Sequence, residues 1–317
     1  SAKALGGAMK VHIMGSDQRI VRCARVSFGK DQEVDKERDI KLIKYLLQHK
    51  HASPFEHIVI AIEGDKELWL EILGKVENPA VQIYYSKGFI WLNLRNFINA
   101  WESLPSYLEE GIKEALPATL SLLKGTDPED YSMDKAYLKE KVETSSGWIG
   151  LVDSLELGTD MDYYTFVVEC PLFIARQWHR HRFGSYNEIS RRYVDYEPDF
   201  YIPPYLRKQA KSNKQASIEE PVEEPWNSLF LKKVGWYVQD LKDLYRSMVE
   251  HGVAKELARG ILPQFMKTRF YWTVPRISLD NFLTLRTHQG AQKEIREFAL
   301  AIEGLVGYKG SDKKLRL

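Results

Sequence analysis

The chain has few cysteines and almost no net charge. Cys23 and Cys170 are the only cysteines in 317 residues, which excludes a disulfide framework and a cysteine-rich zinc site. We therefore interpret both as structural thiols of a protein from a reducing compartment. Lysine and arginine number 45 against 44 aspartates and glutamates. This balance argues against a general nucleic-acid or membrane-surface binder, because such proteins spread a basic excess over a whole face.

Long apolar runs are missing as well. No segment is long and apolar enough to span a bilayer, and no secretory signal pattern opens the chain. With 44% hydrophobic and 28% charged residues, the composition is typical of a globular protein with a sizeable core. We expect a cytoplasmic protein without a membrane partner. Residues 1–8, SAKALGGA, look like a vector-derived extension before a natural start at Met9.

The glycine-rich phosphate loops of common nucleotide-binding folds are also absent. Neither GxGxxG nor GxxxxGK[ST] occurs, so a nucleotide site would have to be built from side chains. The positive charge is instead local, because five arginines and two histidines lie between Arg176 and Arg192 with Glu188 as the only acid. Arginine holds phosphate through a planar fork, and glutamine or glutamate can bond the edge of a base. A nucleotide site, a solvated helix end and an ion-pair network all remain open.

Hydrophobic patterns predict an α/β fold. Residues 10–64 are expected to form a strand, two helices and a second strand, with a capping box in which Ser53 caps a helix start and Glu56 is its third residue. Residues 65–162 contain four prolines and are interpreted as an insertion. Within it, GFIWLNLRNFINAW predicts a strand followed by a helix.

The part after the insertion carries most polar candidates. YYTFVVEC predicts a strand, and Pro171 opens a helix expected to run through His181. Alternation in SYNEISRRY predicts an extended segment with Glu188, Ser190 and Arg192 on one face.

Farther along, four more elements are predicted. They are an amphipathic helix over 226–250, a strand TRFYWTV, and a helix capped by Ser278, before a last helix from Gln292. The apolar face expected for the long helix holds Phe230, Tyr237, Leu241, Leu244 and Met248.

Two other site chemistries are poorly supported. His179 and His181 could join His51 and His57 around a metal ion, but the flanking arginines repel a cation, so we predict no metal. Ser190 has no adjacent histidine base and is predicted to hydrogen-bond a ligand, not to act as a nucleophile.

One motif resembles a known family. RHRFGSYNEIS, which is Arg-His-Arg followed by seven residues and a serine, is similar to the signature of flavin-dependent thymidylate synthases, the ThyX family. The resemblance continues, in the family's order, through ARVSF, HASPFEH, FIARQW, SRRY, ELARGILP, TRFYWTV and SLDNFLTLR. The resemblance covers residues 10–64 and the chain from about residue 163 onward. It implies a single ThyX-like catalytic domain over 9–317, a mixed sheet flanked by helices, with an insertion of roughly 100 residues at about 65–162.

The resemblance also implies a reaction and an assembly. The family methylates dUMP to dTMP with methylenetetrahydrofolate as carbon donor, FAD as redox cofactor and NADPH as the usual reductant. Its members are homotetramers whose active sites draw on more than one subunit. Such chemistry needs no cysteine nucleophile, which agrees with the interpretation of Cys23 and Cys170 as structural thiols.

Carried over position by position, the resemblance names the site residues. Arg286 would act in catalysis by favouring ionisation of the uracil ring. The residues expected to contact dUMP are Gln177, Arg180, Glu188, Ser190, Arg191, Arg192, Arg259 and Arg286. Those expected to contact FAD are His51, Ser53, Glu56, Arg180, His181, Arg182, Glu188 and Asn281.

The junction VPRIS departs from the family pattern. Asn-x-Arg is common there, whereas this chain has Pro275 and Ile277, with Arg276 as the possible substitute. A catalytically idle nucleotide-binding relative therefore stays open as an alternative, and a nucleic-acid-binding protein is a more distant one.

Overall fold

The structure, a computed structural model, describes residues 10–194, 196–212 and 216–310. The extension expected at residues 1–8 lies outside the described residues. The strands are β1 (Val11–Met14), β2 (Val59–Glu63), β3 (Tyr84–Ser86), β4 (Phe89–Asn93), β5 (Glu140–Glu143), β6 (Trp148–Leu155), β7 (Tyr163–Pro171), β8 (Ser185–Glu188), β9 (Arg207–Gln209), β10 (Ser217–Pro221) and β11 (Lys267–Pro275).

Helices flank these strands. The α-helices are α1 (Asp17–Arg25), α2 (Lys36–Gln48), α3 (Lys66–Lys75), α4 (Leu94–Asn99), α5 (Leu108–Ile112), α6 (Pro117–Leu123), α7 (Leu172–Trp178), α8 (Trp226–Glu250), α9 (Lys255–Ala258), α10 (Arg276–Arg286) and α11 (Lys293–Val306). Short 3-10 helices lie at Val26–Phe28, Ser53–His57, Trp101–Ser103 and Arg259–Ile261. The predicted α/β fold class is confirmed.

The first sheet has the strand order β1-β2-β4-β3. β2 is buried on both faces: Ile60 and Ile62 pack in the core that includes α1 and α2, whereas Val59 and Ala61 pack with Trp91 on the other face. Because successive side chains of a strand point to opposite faces, the apolar run VIAIE supplies two cores at once.

The second sheet has the order β5-β6-β7-β11-β8 and positions the candidate site. β7 and β11 pair along their full lengths, from Tyr163 opposite Pro275 to Pro171 opposite Lys267. A mixed sheet was expected, but the pairings of the named strands are antiparallel throughout. The physical reason is the position of β11. β7 and β8 are both antiparallel to β11 and therefore run in the same direction, but β11 lies between them, so they do not form a parallel pair.

Residues 65–162 are built into both sheets. β3 and β4 extend the first sheet, and β5 and β6 extend the second. The strand and helix predicted from GFIWLNLRNFINAW are β4 and α4. The loop that follows α6 is anchored by buried charges, because Asp134 accepts hydrogen bonds from Arg19 and Arg22 at 3.0 Å each and Tyr131 donates to Asp39.

The helix after Pro171 is shorter than expected. Pro171 does precede it, but α7 ends at Trp178, and the tripeptide Arg-His-Arg lies beyond its end. The hydroxyl of Tyr186 donates to the carbonyls of Trp178 and His181. A side chain from β8 thus satisfies carbonyls that would otherwise continue the helix.

The extended segment after Gly184 is also shorter than expected. β8 stops at Glu188, and residues 191–193 form a turn, so Glu188, Ser190 and Arg192 do not alternate along one strand. The cause is tertiary: the backbone N–H of Ser190 donates to the carbonyl of Ser27, which turns the chain away from β11.

Both predicted serine caps are wrong. Ser53 is the first residue of its 3-10 helix and makes no capping bond, because its side chain bonds Asn187. α10 begins at Arg276, two residues before Ser278, since the first N–H groups of the helix donate to the carbonyls of Asp162 and Asp160. Carbonyls from a distant segment replace the serine side chain.

The long helix α8 has the predicted bounds but not the predicted burial. Its buried residues are Asn227, Val238 and Tyr245, while Tyr237 is 64% exposed and Phe230 and Leu244 are also exposed. In a single chain, α8 packs through one narrow stripe against α9 and the residues after it. Most of its apolar surface is left without a partner.

Candidate active site

Arg286 is the centre of one group of predicted residues. It is the last residue of α10, and its Nε donates to Nε2 of His181 at 3.1 Å while Nη2 donates to the carbonyl of Gln177 at 3.2 Å. Arg286 is more than a hundred positions from His181 and Gln177 in the chain, and the packing of α10 against the end of α7 and the turn after it brings them into contact. The structure therefore brings together Arg286 and Gln177, expected at dUMP, and His181, expected at FAD.

The electrostatics of this group are unusual. His181 is only 8% exposed, and burial, reinforced by the nearby Arg286 charge, lowers the pKa of His181 to about 4. Burial also lowers the pKa of Arg286. Because Nε2 of His181 accepts from Arg286, its proton resides on Nδ1, and the ring is neutral near pH 7.

Gln177 is held in a fixed orientation. Its Nε2 donates to Oε1 of Gln292, the residue that precedes α11, at 2.6 Å. Its side-chain oxygen has no bond to another residue in the described part of the chain. The amide can thus still accept a hydrogen bond from a ligand.

Glu188 and Ser190 lie two positions apart but have different partners. Glu188 accepts from the hydroxyl of Thr268 at 2.8 Å, and burial raises the pKa of its carboxyl group. Ser190 accepts from Nε of Arg192 at 3.4 Å, and the Arg192 guanidinium lies 4.9 Å from the centre of the Tyr193 ring. Glu188 and Ser190 both lie within the signature segment RHRFGSYNEIS.

Two residues expected at the flavin line one cavity, and a third lies on the same 3-10 helix as one of them. Glu56 and Arg182 line a cavity of about 180 Å³, and Ser185 in its wall donates to Glu56 at 3.2 Å. Ser53 accepts a hydrogen bond from Asn187, which like Ser185 lies on β8, at 3.1 Å. The 3-10 helix of HASPFEH therefore packs on β8, as the contacts of both residues require.

His57 is a residue whose role the sequence did not indicate. It is fully buried, with Nδ1 2.7 Å from the hydroxyl of Thr273 and Nε2 2.8 Å from the amide of Asn187. Burial lowers its pKa to about 4. His57 thus links β11 to Asn187 and, through it, to Ser53, and the only signal in the sequence was its place at the end of HASPFEH.

Other predicted residues are not joined to these groups in the single chain. Arg180 and Asn281 are exposed, and Arg259 donates to the carbonyl of Glu256 within its own helical turn. His51 lies in an exposed aromatic cluster with Tyr45, at a ring distance of 5.8 Å.

Arg191 differs from its neighbours in the signature because it is buried. It donates to the carbonyl of Tyr196 at 2.7 Å and lies over the ring of the same residue. These contacts hold the turn after β8 in place. The expected contact of Arg191 with dUMP stays a prediction.

The arginines fall into two classes. Many are paired with carboxylates, as Arg19 is with Asp134 and Arg207 with Glu294. In contrast, the following arginines have no carboxylate within 4.0 Å among residues 10–194, 196–212 and 216–310: Arg38, Arg176, Arg180, Arg182, Arg191, Arg192, Arg259, Arg276 and Arg286. Arginines whose charge is not neutralised by an internal carboxylate are available to an external anion.

The departing junction VPRIS has mixed surroundings. Pro275 lines the 180 Å³ cavity, and Ile277 is 51% exposed. Arg276 does not line that cavity; its guanidinium lies 4.0 Å from the ring centre of Tyr308. The arginine expected as a substitute is thus directed to the C-terminal part of the chain.

Metal and thiol chemistry find little support in the described residues. No three side chains of His, Cys, Asp or Glu in the described ranges are grouped as metal ligands. Cys23 and Cys170 are free and buried, and burial raises the pKa of each thiol, which opposes thiolate formation. In the part of the chain covered by the structure, no helix is both long and apolar enough to cross a membrane.

Comparisons with known proteins agree with the motifs. A sequence profile described as "Thymidylate synthase complementing protein" matches residues 11–65 and 159–307. The flavin-dependent thymidylate synthase of Aquifex aeolicus is 65% identical over 315 residues, covering 96% of this chain and 99% of that protein. The flavin-dependent thymidylate synthase of Thermosipho melanesiensis is 29% identical over 300 residues, covering 92% and 81%.

Among solved structures, a UMP/dUMP methylase PolB from Streptomyces cacaoi bound with 5-Br dUMP aligns with 94% of this chain and 90% of its own, at a TM-score of 0.41 and 20% identity. That likeness is too weak to carry an argument. The profile match and the Aquifex relative are sufficient: the chain belongs to the flavin-dependent thymidylate synthase family.

Proposed function

We propose that this chain converts dUMP to dTMP, taking a one-carbon group from methylenetetrahydrofolate and reducing equivalents from NADPH through FAD. The observation that carries this proposal is the set of arginines without carboxylate partners, which matches a phosphate-bearing substrate. Family membership supplies the reaction type.

Arg286 is the residue proposed to act on the ring of dUMP. Its guanidinium is half-buried and is held by His181 and Gln177 through neutral groups, so its charge is not cancelled internally. A fixed positive charge at the uracil edge favours ionisation at N3, which raises the electron density of the ring carbon that is methylated. Neutral His181 orients Arg286 in this proposal and does not act as a general base.

The residues around the 180 Å³ cavity fit part of a flavin dinucleotide. Arg182 offers an unpaired cation, and Ser53 and Glu56 lie on the same 3-10 helix. The cavity is smaller than the about 300–1,000 Å³ of usual ligand pockets, so it fits one portion of the cofactor, and further surface is needed for the rest. When bound, FAD would supply the redox chemistry while these side chains bind and orient it.

A homotetramer would supply that surface. In the single chain, Arg192, Arg259 and Arg286 each bond to different groups, and no hydrogen bond among the described residues joins the three. The exposed apolar face of α8, including Trp236 at 58% exposure and Tyr237, is typical of a surface that binds another subunit. We propose that neighbouring copies cover this face and complete the dUMP site.

The organisation of the chain supports one catalytic domain over 9–317. The segment 65–162 shares sheets and cores with the flanking parts, so we propose that it is integral to this domain. Two free buried cysteines support a cytoplasmic location.

The proposal is tested with the purified full chain. We expect flavin absorbance in the protein and formation of dTMP from dUMP only when methylenetetrahydrofolate and NADPH are both present. Flavin and dUMP binding without any dTMP would instead support an idle relative, for which the VPRIS junction is the motivating feature. Absence of flavin together with salt-sensitive binding to DNA or RNA would refute the proposal.

A further inference from the structure

The cavity that holds Glu56 and Arg182 has a second set of lining residues. They belong to the segment 66–158, which the family profile leaves unmatched. These residues, which run from just before β3 into α4, are Gln82, Tyr84, Asn93 and Asn96. The inserted segment therefore builds part of the wall of a cavity whose other residues come from the family motifs.

This wall is held in place by its own hydrogen bonds. The hydroxyl of Tyr84 donates to Oε1 of Gln82 at 3.0 Å, and Nδ2 of Asn96 donates to the backbone carbonyl of Gln82 at 2.9 Å. Asn93 caps α4 by accepting from the N–H of Asn96. The wall is thus preformed in the folded chain.

Two contacts join the wall to the motif residues. Arg95, on α4, forms an ion pair with Glu56 at 3.2 Å. The ring of Tyr84 meets the ring of Phe183, the residue after Arg182, edge to face at 5.5 Å. Movement of the inserted segment would therefore displace both Glu56 and the end of the Arg-His-Arg motif.

The wall presents polar atoms that the fold does not use. Nε2 of Gln82 and Nδ2 of Asn93 are donors, and Oδ1 of Asn96 is an acceptor, and none of the three bonds another described residue. Pro275, in the same cavity, offers no donor at all. Donors and acceptors beside the aromatic ring of Tyr84 match a flat heterocycle whose edge carries both kinds of group.

We propose that Gln82, Tyr84, Asn93 and Asn96 form a ring-binding wall for the flavin dinucleotide, so that the inserted segment contributes directly to cofactor recognition. Adenine and isoalloxazine share the required chemistry, and a cavity of about 180 Å³ takes one such ring, not both. This inference rests on the proposed function, because it takes Glu56 and Arg182 as cofactor contacts.

The test measures cofactor affinity of the full-length protein after its flavin has been removed. Dissociation constants for FAD, FMN and AMP are determined for Tyr84→Ala, Tyr84→Phe and Gln82→Ala. Tyr107→Ala is the control, since Tyr107 is a second tyrosine of the inserted segment that does not line the cavity. Thermal unfolding without flavin checks that each variant folds. If Tyr84→Ala does not fold, Gln82→Ala replaces it in the test, because Gln82 is exposed.

We expect Tyr84→Ala to weaken FAD binding about tenfold, the size of one ring contact, while Tyr84→Phe and Tyr107→Ala stay close to wild type. A matching loss for FMN would identify the ring as isoalloxazine, and a loss for FAD and AMP alone would identify adenine. Unchanged FAD affinity in both Tyr84→Ala and Gln82→Ala, in a wild-type protein that binds flavin and forms dTMP, would overturn this inference and leave the proposed function standing. A wild-type chain that binds no flavin would overturn both.

Discussion

Replacement of Arg286 by alanine should separate catalysis from stability. The side chain loses two hydrogen bonds, to His181 and to the carbonyl of Gln177, and no ion pair. Each such bond contributes about 1 kcal/mol, and burial of the unpaired charge, seen in the lowered pKa of Arg286, opposes that gain. We therefore expect the free energy of unfolding to change by no more than about 1 kcal/mol.

Turnover should respond far more strongly. Removal of one preorganised group that stabilises developing charge costs about 100- to 1,000-fold in kcat. We expect a loss of that size for dTMP formation in Arg286→Ala, and a smaller one in Arg286→Lys, which keeps the charge but not the fork. Arg38→Ala, which changes an exposed arginine of α2, is the control and should leave turnover unchanged.

A second observable tests the geometry itself. Because the Arg286 charge helps to lower the pKa of His181, that pKa should rise above about 4 in Arg286→Ala but stay below the ordinary 6.5, since burial remains. The measurement is an NMR titration of the His181 ring. Wild-type turnover in Arg286→Ala, or a loss of several kcal/mol of stability with equal loss of turnover, would refute the reasoning.

Three further predictions concern the rest of the molecule. His57 keeps a pKa of about 4 when folded against 6.5 when unfolded, so the unfolded state binds the extra proton in this window and stability falls as the pH drops from 6.5 to 4. His179 and His181 act in the same direction, so His57→Gln should reduce the total loss of stability over this window by on the order of 3 kcal/mol in urea unfolding without abolishing it. An unchanged loss would contradict the assignment. Asp134→Ala leaves two buried guanidinium groups without their shared carboxylate and should lower the free energy of unfolding by about 3–5 kcal/mol. Asp130→Ala, at an exposed position of the same loop, should leave it almost unchanged. Equal effects would count against a structural role for the ion pairs. Tyr237→Glu places a charge on the apolar face of α8 and should reduce the assembly in sedimentation analysis. Lys44→Glu, at an exposed position of α2, is the control, and an intact tetramer in Tyr237→Glu would exclude this face from the interface.

Much of the fold was accessible from local patterns. The alternating β-branched and aromatic residues predicted β7 and β11, and the bounds of α8 were predicted correctly. Local patterns failed where a distant group intervened. α7 ends early, where the Tyr186 hydroxyl donates to the carbonyls of Trp178 and His181, and α10 starts early because carbonyls of the segment before β7 accept from its first N–H groups.

The candidate site shows the same division. The motifs identified the family before any geometry was known, because residue types at fixed spacing can be read from the chain whatever their neighbours in space are. They did not identify His57, whose partners Thr273 and Asn187 are 216 and 130 positions away. Nor could they connect Tyr84 and Asn96 with a cavity lined by Arg182, since those residues lie in a segment without a family motif.

By itself, the sequence determined the kinds of elements, the chemistry of the arginine-rich segment and the family, because these depend on residue type and short-range spacing. Only the tertiary structure decided which arginines stay free of carboxylates, which histidines are buried in the neutral state, and which part of the inserted segment lines the cavity. Those properties depend on contacts between residues far apart in the chain, and no local pattern records such contacts.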